Sequence, residues 1–456
     1  MASSGPTRVL RRSHHFDPND ELPFYLTINP LLMALSGIIT LITIPLFVKT
    51  NYFAYLDTRC DWPNEQHHPN DIRMLLHGDP QIRGGSSFSS PITKLDIFGN
   101  DFFLGHLHKK LFHLLNPSHV VVLGDLFSSQ WIDDEEFEHR QHRYRKRIFR
   151  QLYGNIDGPG PHRPLIWNLS GNHDIGYAHE VTDERVERFE KYFGKLNFVY
   201  YGYKWRAIIF DSMSIDGSLD DLDFGQGLRT KAVRAFLEEQ MAVDFQGTTI
   251  LLTHVPFHKE QGACVDPPFF SYYDEGTNRL IREQNMISRE TSQWILEGFF
   301  GYGHGLIING HDHEGCMVIH QKMEQQWEAQ PLAKGETSYD YTFEPEDDSR
   351  VLEVTVRSMM GQYGGNSGLL YGSYSDNRED FSKFKFTLCV FGSQTKWWVA
   401  TIMLTLSAIT LMLSFLILPI ATERATRKIV RRYQTKQNGK RRVERSNNAQ
   451  PPRKVD

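Results

Sequence analysis

The sequence predicts an α/β domain carried between two membrane-spanning helices. Three observations lead there. Strand patterns alternate with helical ones through the middle of the chain. An uncharged apolar run of membrane length stands near each end. The strand patterns also end in polar turns that carry carboxylates, imidazoles and amides.

The two ends come first because they set the compartment. Pro23 to Val48 holds no charge over 26 residues, more than the roughly 20 a helix needs to cross a bilayer. A cleaved signal peptide would have a shorter apolar region and a small-residue cleavage site, so an anchor is favoured. A second run, Trp397 to Ile420, opens on two tryptophans that suit an interfacial belt. Three basic and three acidic residues precede Leu22, and twelve basic and three acidic follow Ile420. The positive-inside bias then puts both ends in the cytosol and the middle in a lumen. The expected parts are a cytosolic tail (1–22), a first span (23–49), a lumenal domain (50–395), a second span (396–420) and a basic cytosolic tail (421–456). Arg453 and Lys454 resemble a dilysine-type retrieval signal of the endoplasmic reticulum (ER).

The middle keeps 35 basic and 49 acidic residues of the chain's 50 and 55, a net charge near −14. Such a balance argues against nucleic acid as a partner and suits a site that collects cations. Cys60, Cys264, Cys316 and Cys389 contain no C-x-x-C pair, so a zinc ribbon is not expected. In an oxidising lumen they could form two bridges in any of three pairings. Cys264 and Cys316 each follow a ligand-bearing stretch, which favours that pair among the three, while four free buried thiols stand as the equal alternative.

Within the middle, Asp71 to Gln81 reads as a strand entering a polar loop. Leu95 to Leu115 has helical spacing at Leu95, Phe98, Phe102, Leu107, Leu111 and Leu114. Ser118 to Asp125 and Pro164 to Ser170 are buried strands running into turns. Glu135 to Tyr153 is a charged helix whose arginines form a solvated face. Arg206 to Ser212, Thr248 to His254 and Gly305 to His313 are further strand-to-turn units. Val351 to Ser358 alternates like an edge or second-sheet strand, Gln325 to Asp348 reads as a loop, and Pro256 to Phe300 is an insertion that could cover the site. His106, His108 and His113 fall on the surface of the predicted helix, and the N-L-S sequon at Asn168 lies in a core strand where a glycan has no room.

Five stretches share one design. They are G-D-P-Q (Gly78 to Gln81), G-D-L-F-S (Gly124 to Ser128), G-N-H-D (Gly171 to Asp174), T-H-V-P (Thr253 to Pro256) and G-H-D-H (Gly310 to His313). A lone histidine such as His254 is more often a satisfied core residue than a ligand; the ordered set of five reverses that judgement. Mixed oxygen and nitrogen donors suit Mn²⁺, Fe²⁺ or Zn²⁺ over thiol-selecting metals. A pair of cations needs a shared carboxylate, and Asp125 on the central turn is the best candidate.

This order resembles the calcineurin-like metallophosphoesterase superfamily, whose usual signature is D-x-H, G-D-x-x-D, G-N-H-[D/E], H and G-H-x-H. The likeness runs from about Leu75 to Ile319. It implies a four-layer αββα sandwich with two divalent metals at the sheet ends, most often Mn²⁺. By it Asp79 and His313 hold the first metal with Gln81, while Asn172, His254 and His311 hold the second, and Asp125 bridges. His173 is implied to contact the phosphate and protonate the leaving oxygen, with Asp174 orienting its ring. Two positions depart: Gln81 replaces a histidine and Ser128 the second aspartate.

D-P-Q, Gln284 to Gln293 and Arg357 to Gly368 are similar to the ER phosphodiesterases that act on glycosylphosphatidylinositol (GPI) anchors, fungal ones above all. That branch implies removal of an ethanolamine-phosphate side branch from a GPI mannose, in support of ER exit. The implied partners are GPI glycolipids, GPI-anchored proteins, the ER membrane and cargo receptors. His258, Tyr363 and Asn366 are expected substrate contacts. Another ER metallophosphoesterase acting on a lipid or nucleotide phosphate is one alternative. A non-catalytic cargo adaptor on the same fold, which only Gln81 favours, is the other.

Overall fold

The computed structural model describes residues 24–63, 68–85, 89–153, 164–177, 180–216, 226–260, 262–264, 286–301, 304–324, 326–332, 340–343, 350–376 and 380–447. The helices are α1 (Phe24–Leu56), α2 (Pro91–Leu115), α3 (Asp134–Arg143), α4 (Arg150–Tyr153), α5 (Asn172–Ile175), α6 (Asp183–Phe193), α7 (Gln226–Met241), α8 (Arg289–Phe300) and α9 (Gln394–Asn447). The strands are β1 (Ile72–His77), β2 (His119–Val122), β3 (Leu165–Asn168), β4 (Phe198–Tyr201), β5 (Trp205–Ile209), β6 (Thr248–Leu252), β7 (Gly305–Asn309), β8 (Cys316–Met323), β9 (Gln326–Pro331), β10 (Asp340–Phe343), β11 (Arg350–Thr355), β12 (Asn366–Ser375) and β13 (Asp380–Val390).

The chain divides into two compact units, one of Val48–Trp397 and one of Met1–Phe47 with Trp398–Asp456. In the smaller unit the two apolar helices are tied by hydroxyls. Ser36 Oγ donates to the Ser407 carbonyl at 2.8 Å, and Ser407 Oγ donates back to the Ser36 carbonyl at 2.9 Å. Thr40 Oγ1 lies 2.6 Å from Ser407 Oγ. Small hydroxyl residues let backbones approach and supply polar contacts where no water competes. Pro30–Leu56 and Gln394–Leu416 are long and apolar enough to cross a membrane. Helix α1 runs on past residue 49, and α9 carries the basic segment after residue 420 in helical form to Asn447.

The larger unit holds two sheets, ordered β10-β13-β12-β1-β2-β3 and β4-β5-β6-β7-β11-β8-β9. Strand alternation explains how they meet. Ile72, Met74 and Leu76 of β1 join Ala207 and Ile209 of β5, Ile250 and Leu252 of β6, and Leu306 and Ile308 of β7 in one apolar cluster. The intervening residues, such as Leu75, Val120, Leu251 and Ile307, are also fully buried, so both faces of these strands are covered. β1, β2 and β3 are mutually parallel, as are β6 and β7. Their C-terminal ends deliver all five polar turns.

Several sequence expectations change here. Val351 to Thr355 takes the second-sheet place rather than the edge: β11 sits between β7 and β8, with Leu352 and Val354 on one face and the buried, hydrogen-bonded Glu353 on the other. The stretch expected as a loop contains β9 and β10. The charged helix breaks into α3, a wider π-helical turn (Tyr144–Ile148) and α4, and its arginines are not a uniform solvated face. Arg140 is buried and donates to Ser128 Oγ at 3.1 Å, and Arg143 grips Asp101 of α2 at 2.7 and 2.8 Å. His108 is buried rather than on the surface, its Nδ1 3.0 Å from His77 Nε2. Disulfides join Cys264 to Cys316, the favoured pair, and Cys60 to Cys389. Within the insertion from Pro256 to Phe300, residues 261 and 265–285 lie outside the described residues.

Candidate metal centre

Three of the five turns, G-D-P-Q, G-D-L-F-S and G-H-D-H, leave their strands abruptly, and the backbone shows it. Asp79, Gln81, Asp125 and His311 have positive φ values of 43°, 38°, 49° and 69°. Non-glycine residues rarely adopt that region, and such outliers cluster at ligand sites. Glycines make the close approach possible. A Cβ on Gly171 would lie 2.2 Å from Asp125 Oδ1, and one on Gly124 (φ +96°) 2.3 Å from His254 Nδ1.

The donors converge in two groups. Asp125, His254 and His311 offer ligand atoms within 4.8 Å of one another, and so do Asp79, Asp125 and His313. Asp125 belongs to both. His254 Nε2 stands 3.4 Å from Asp125 Oδ1, 3.2 Å from His311 Nδ1 and 3.2 Å from Asn172 Oδ1. Its Nδ1 is 2.6 Å from the Leu123 carbonyl, so Nδ1 carries the proton and Nε2 presents its lone pair. Asp79 accepts the His311 N–H at 3.0 Å, and His313 Nε2 lies 3.9 Å from Asp79 Oδ1. The Gln81 amide sits between Asp125 Oδ2 (3.0 Å) and His313 Nε2 (3.1 Å). A half-turn of that amide brings its carbonyl oxygen to the same place.

The electrostatics fit a cationic occupant. Burial, then the neighbouring Asp125 charge, pushes the Asp79 carboxyl well above the usual carboxylate range. For Asp125 burial works upward, but His173, His254 and His311 outweigh it and hold the group at about 2. Burial lowers His254, and takes His313 down to about 4, against the upward pull of Asp125, in the direction of the neutral rings that donate lone pairs. Buried carboxylates crowded against neutral imidazoles form the donor set that a divalent metal pair needs.

His173 and Asp174 behave differently from each other. The His173 side chain is 36% exposed, its Nε2 is 3.9 Å from Asp125 Oδ2, and its backbone N–H donates to Asp125 Oδ1 at 2.9 Å. Asp174 was expected to orient the His173 ring, and the geometry corrects this. Both Asp174 oxygens are occupied by backbone donors: Gly171 N at 2.9 Å, Leu126 N at 3.1 Å and Phe127 N at 3.1 Å. His173 Nδ1 has no hydrogen-bond partner among the described residues. Asp174 therefore clamps the G-N-H-D turn to the G-D-L-F turn. Asp174→Asn turns a donor toward these N–H groups, so about 2 kcal/mol of stability and about tenfold in metal affinity should be lost. Metal titration and thermal unfolding read both; unchanged values would rule out the clamp.

Of the expected substrate contacts, Tyr363 is at the site, its ring centroid 4.6 Å from that of His313. Asn366 is buried, its amide nitrogen donating at 3.0 Å to the carbonyls of both Ser358 and Tyr363, so its side chain braces the turn that carries Tyr363 rather than facing a ligand. His258 joins neither donor group; its Nε2 faces Glu260 at 3.7 Å and its N–H donates to Ser292 Oγ. Ser358 was missed. Its Oγ donates to the Asp79 carbonyl at 3.0 Å and so holds the strained Asp79 turn. Its only sequence signal was its place in the R-S-M-M-G stretch.

No protein-family model matches the chain. It is 32% identical over 428 residues to Protein TED1 of Saccharomyces cerevisiae, across 79% of this chain and 86% of that protein. It is 28% identical over 330 residues to an uncharacterized protein of Schizosaccharomyces pombe, covering 66% and 69% of the two chains. Metallophosphoesterase 1 of Danio rerio is 25% identical over 309 residues, covering 64% and 76%.

Proposed function

This chain belongs to the calcineurin-like metallophosphoesterases, in the group that contains Protein TED1 and Metallophosphoesterase 1, and from that premise we propose that it is a membrane-anchored phosphodiesterase of the ER lumen. Its substrate in this reading is the ethanolamine-phosphate branch on a GPI mannose, and its action supports ER exit of GPI-anchored proteins. The observation that carries the reading is the sharing of Asp125 between two adjacent donor groups. The four-layer αββα arrangement belongs to the same reading and is supported by strands buried on both faces.

Asp79, Gln81 and His313 would hold one cation, Asn172, His254 and His311 the other, and Asp125 both. Bound Mn²⁺ would supply positive charge to the oxygens that enter and leave phosphorus. The chain's own residues do the rest. Asp174 and Ser358 fix the turns that carry the donors. Tyr363, packed on His313, forms one wall beside the donors. His173 is the imidazole that substrate can reach, and from the rim it can protonate the departing sugar oxygen. GPI glycolipid, GPI-anchored cargo and its receptors are the partners this reading names. Apolar helices that place enzyme and substrate in one membrane raise the effective concentration of each for the other.

The test supplies purified protein and Mn²⁺ with a GPI glycan bearing the branch. Release of phosphoethanolamine is expected. His173→Ala should keep its metals and lose about 10²–10⁴-fold in turnover, the range of a general acid. Bound metal with no release would redirect the search to other phosphodiesters. Neither metal nor release would leave a non-catalytic adaptor, with Gln81 as the cause.

A further inference from the structure

Helix α2 carries an apolar stripe that the domain leaves uncovered. Ile92, Leu95, Phe98 and Phe102 are 80%, 63%, 48% and 53% exposed, and their spacing puts them along one side of the helix. Four large apolar side chains in a row on a surface mark an interaction site rather than a solvated face.

The stripe leads somewhere. Phe102 stacks on Trp397 with ring centroids 5.7 Å apart, and Trp397 lies in the first turn of α9, where the apolar segment Gln394–Leu416 begins. Farther along α2, the Lys110 ammonium sits 4.9 Å from the ring centre of Tyr52 and 5.8 Å from that of Tyr55. Both tyrosines fall in the last turns of the other apolar segment, Pro30–Leu56. One helix thus touches the domain-side ends of both apolar helices; Trp397 is buried against it, while Tyr52 and Tyr55, about half exposed, are of the type that favours a membrane–water boundary. Cations flank the stripe: Lys94, Lys109 and Lys110 on α2, and the half-exposed Arg147, which reaches Asp101 at 3.3 Å. Long basic side chains beside an apolar face suit a helix that lies in the headgroup layer.

We propose that α2 is an interfacial helix, with Ile92, Leu95, Phe98 and Phe102 resting in the headgroup–acyl boundary of the bilayer. The inference rests on the reading that α1 and α9 cross that bilayer. It adds a third point of attachment, made by the catalytic unit itself. Asp96 of α2 pairs with Arg83 at 2.8 Å, and Arg83 reaches Gln362, beside the Tyr363 that packs on His313. A helix held at the bilayer surface therefore connects by direct contacts to the rim of the metal centre, which would present that rim to a substrate carried by a lipid.

The test uses the full chain in phosphatidylcholine vesicles. All four native cysteines are in disulfides, so an introduced cysteine is the sole free thiol. Fluorophores are placed by Leu95→Cys on the stripe, Leu41→Cys in α1, and Leu228→Cys on α7, which packs with α8; Ile92→Cys repeats the stripe position. Nitroxide-bearing lipid should quench the labels at 41, 92 and 95 by about twofold or more and leave the one at 228 unchanged. Quenching at 41 with labels at 92 and 95 behaving like 228 would overturn the proposal while keeping the spans. Label self-quenching at 92 and 95 that dilution relieves would overturn it in favour of a second copy. Escape of the 41 label as well would remove the spans, and the interfacial helix with them.

Discussion

Asp125→Ala should remove both metals and lower kcat/KM by about a thousandfold or more, roughly 4 kcal/mol of transition-state stabilisation. Among the described residues, no other belongs to both donor groups. Its Oδ1 also accepts the His173 N–H at 2.9 Å, so one carboxylate positions the proposed acid as well. Loss of His313 removes a donor from one group only and should leave the other metal bound. Metal analysis of Asp125→Ala beside His313→Ala, with turnover measured on the same samples, separates the two cases. An Asp125→Ala protein that retains both metals would contradict a shared ligand.

The second large effect is on stability, and it lies behind the site. Glu353 of β11 is fully buried and accepts from Lys259 Nζ (2.8 Å), Phe257 N (2.9 Å), Asn309 Nδ2 (2.7 Å) and His320 Nε2 (2.5 Å). Lys259 is itself 1% exposed. The network ties the segment after His254 to the strand that precedes G-H-D-H. Lys259→Met strands a buried carboxylate and should cost about 3–5 kcal/mol. Burial works to raise Glu353, but Lys259 and His320 outweigh it and hold the group at about 2, below its ordinary 4.5. A depressed carboxylate stabilises the fold fully above its unfolded value and loses that contribution as pH falls toward the folded one. The parent should therefore lose on the order of 3 kcal/mol between about pH 5 and pH 2, and the variant's deficit should shrink over that window. Unfolding midpoints for both proteins across that range test this, and a deficit independent of pH would count against the charge pair.

How much of this was legible in the sequence follows from how local each feature is. The five turns were legible because each is a strand pattern running into a short polar sequence, and Asp125 stood out as the central carboxylate. The Cys264–Cys316 pair was favoured from its position beside two of those turns. The role of Asp174 was not legible, since its three donors come from Gly171 and from two residues some 47 and 48 positions away. His108 and Arg140 read as surface residues because their partners, His77 and Ser128, lie on other elements.

The sequence by itself determined the strand-to-turn design, the candidate donors and two apolar segments of membrane length, because hydrophobic runs and turn chemistry are written in neighbouring residues. Only the tertiary structure decided that Asp174 clamps turns rather than a ring, that Glu353 and Lys259 form a buried pair, and that the stripe on α2 meets Trp397. Each of those depends on side chains brought together across dozens to hundreds of residues. Pattern along a chain fixes which face a side chain takes, whereas packing between elements fixes which partner it finds there.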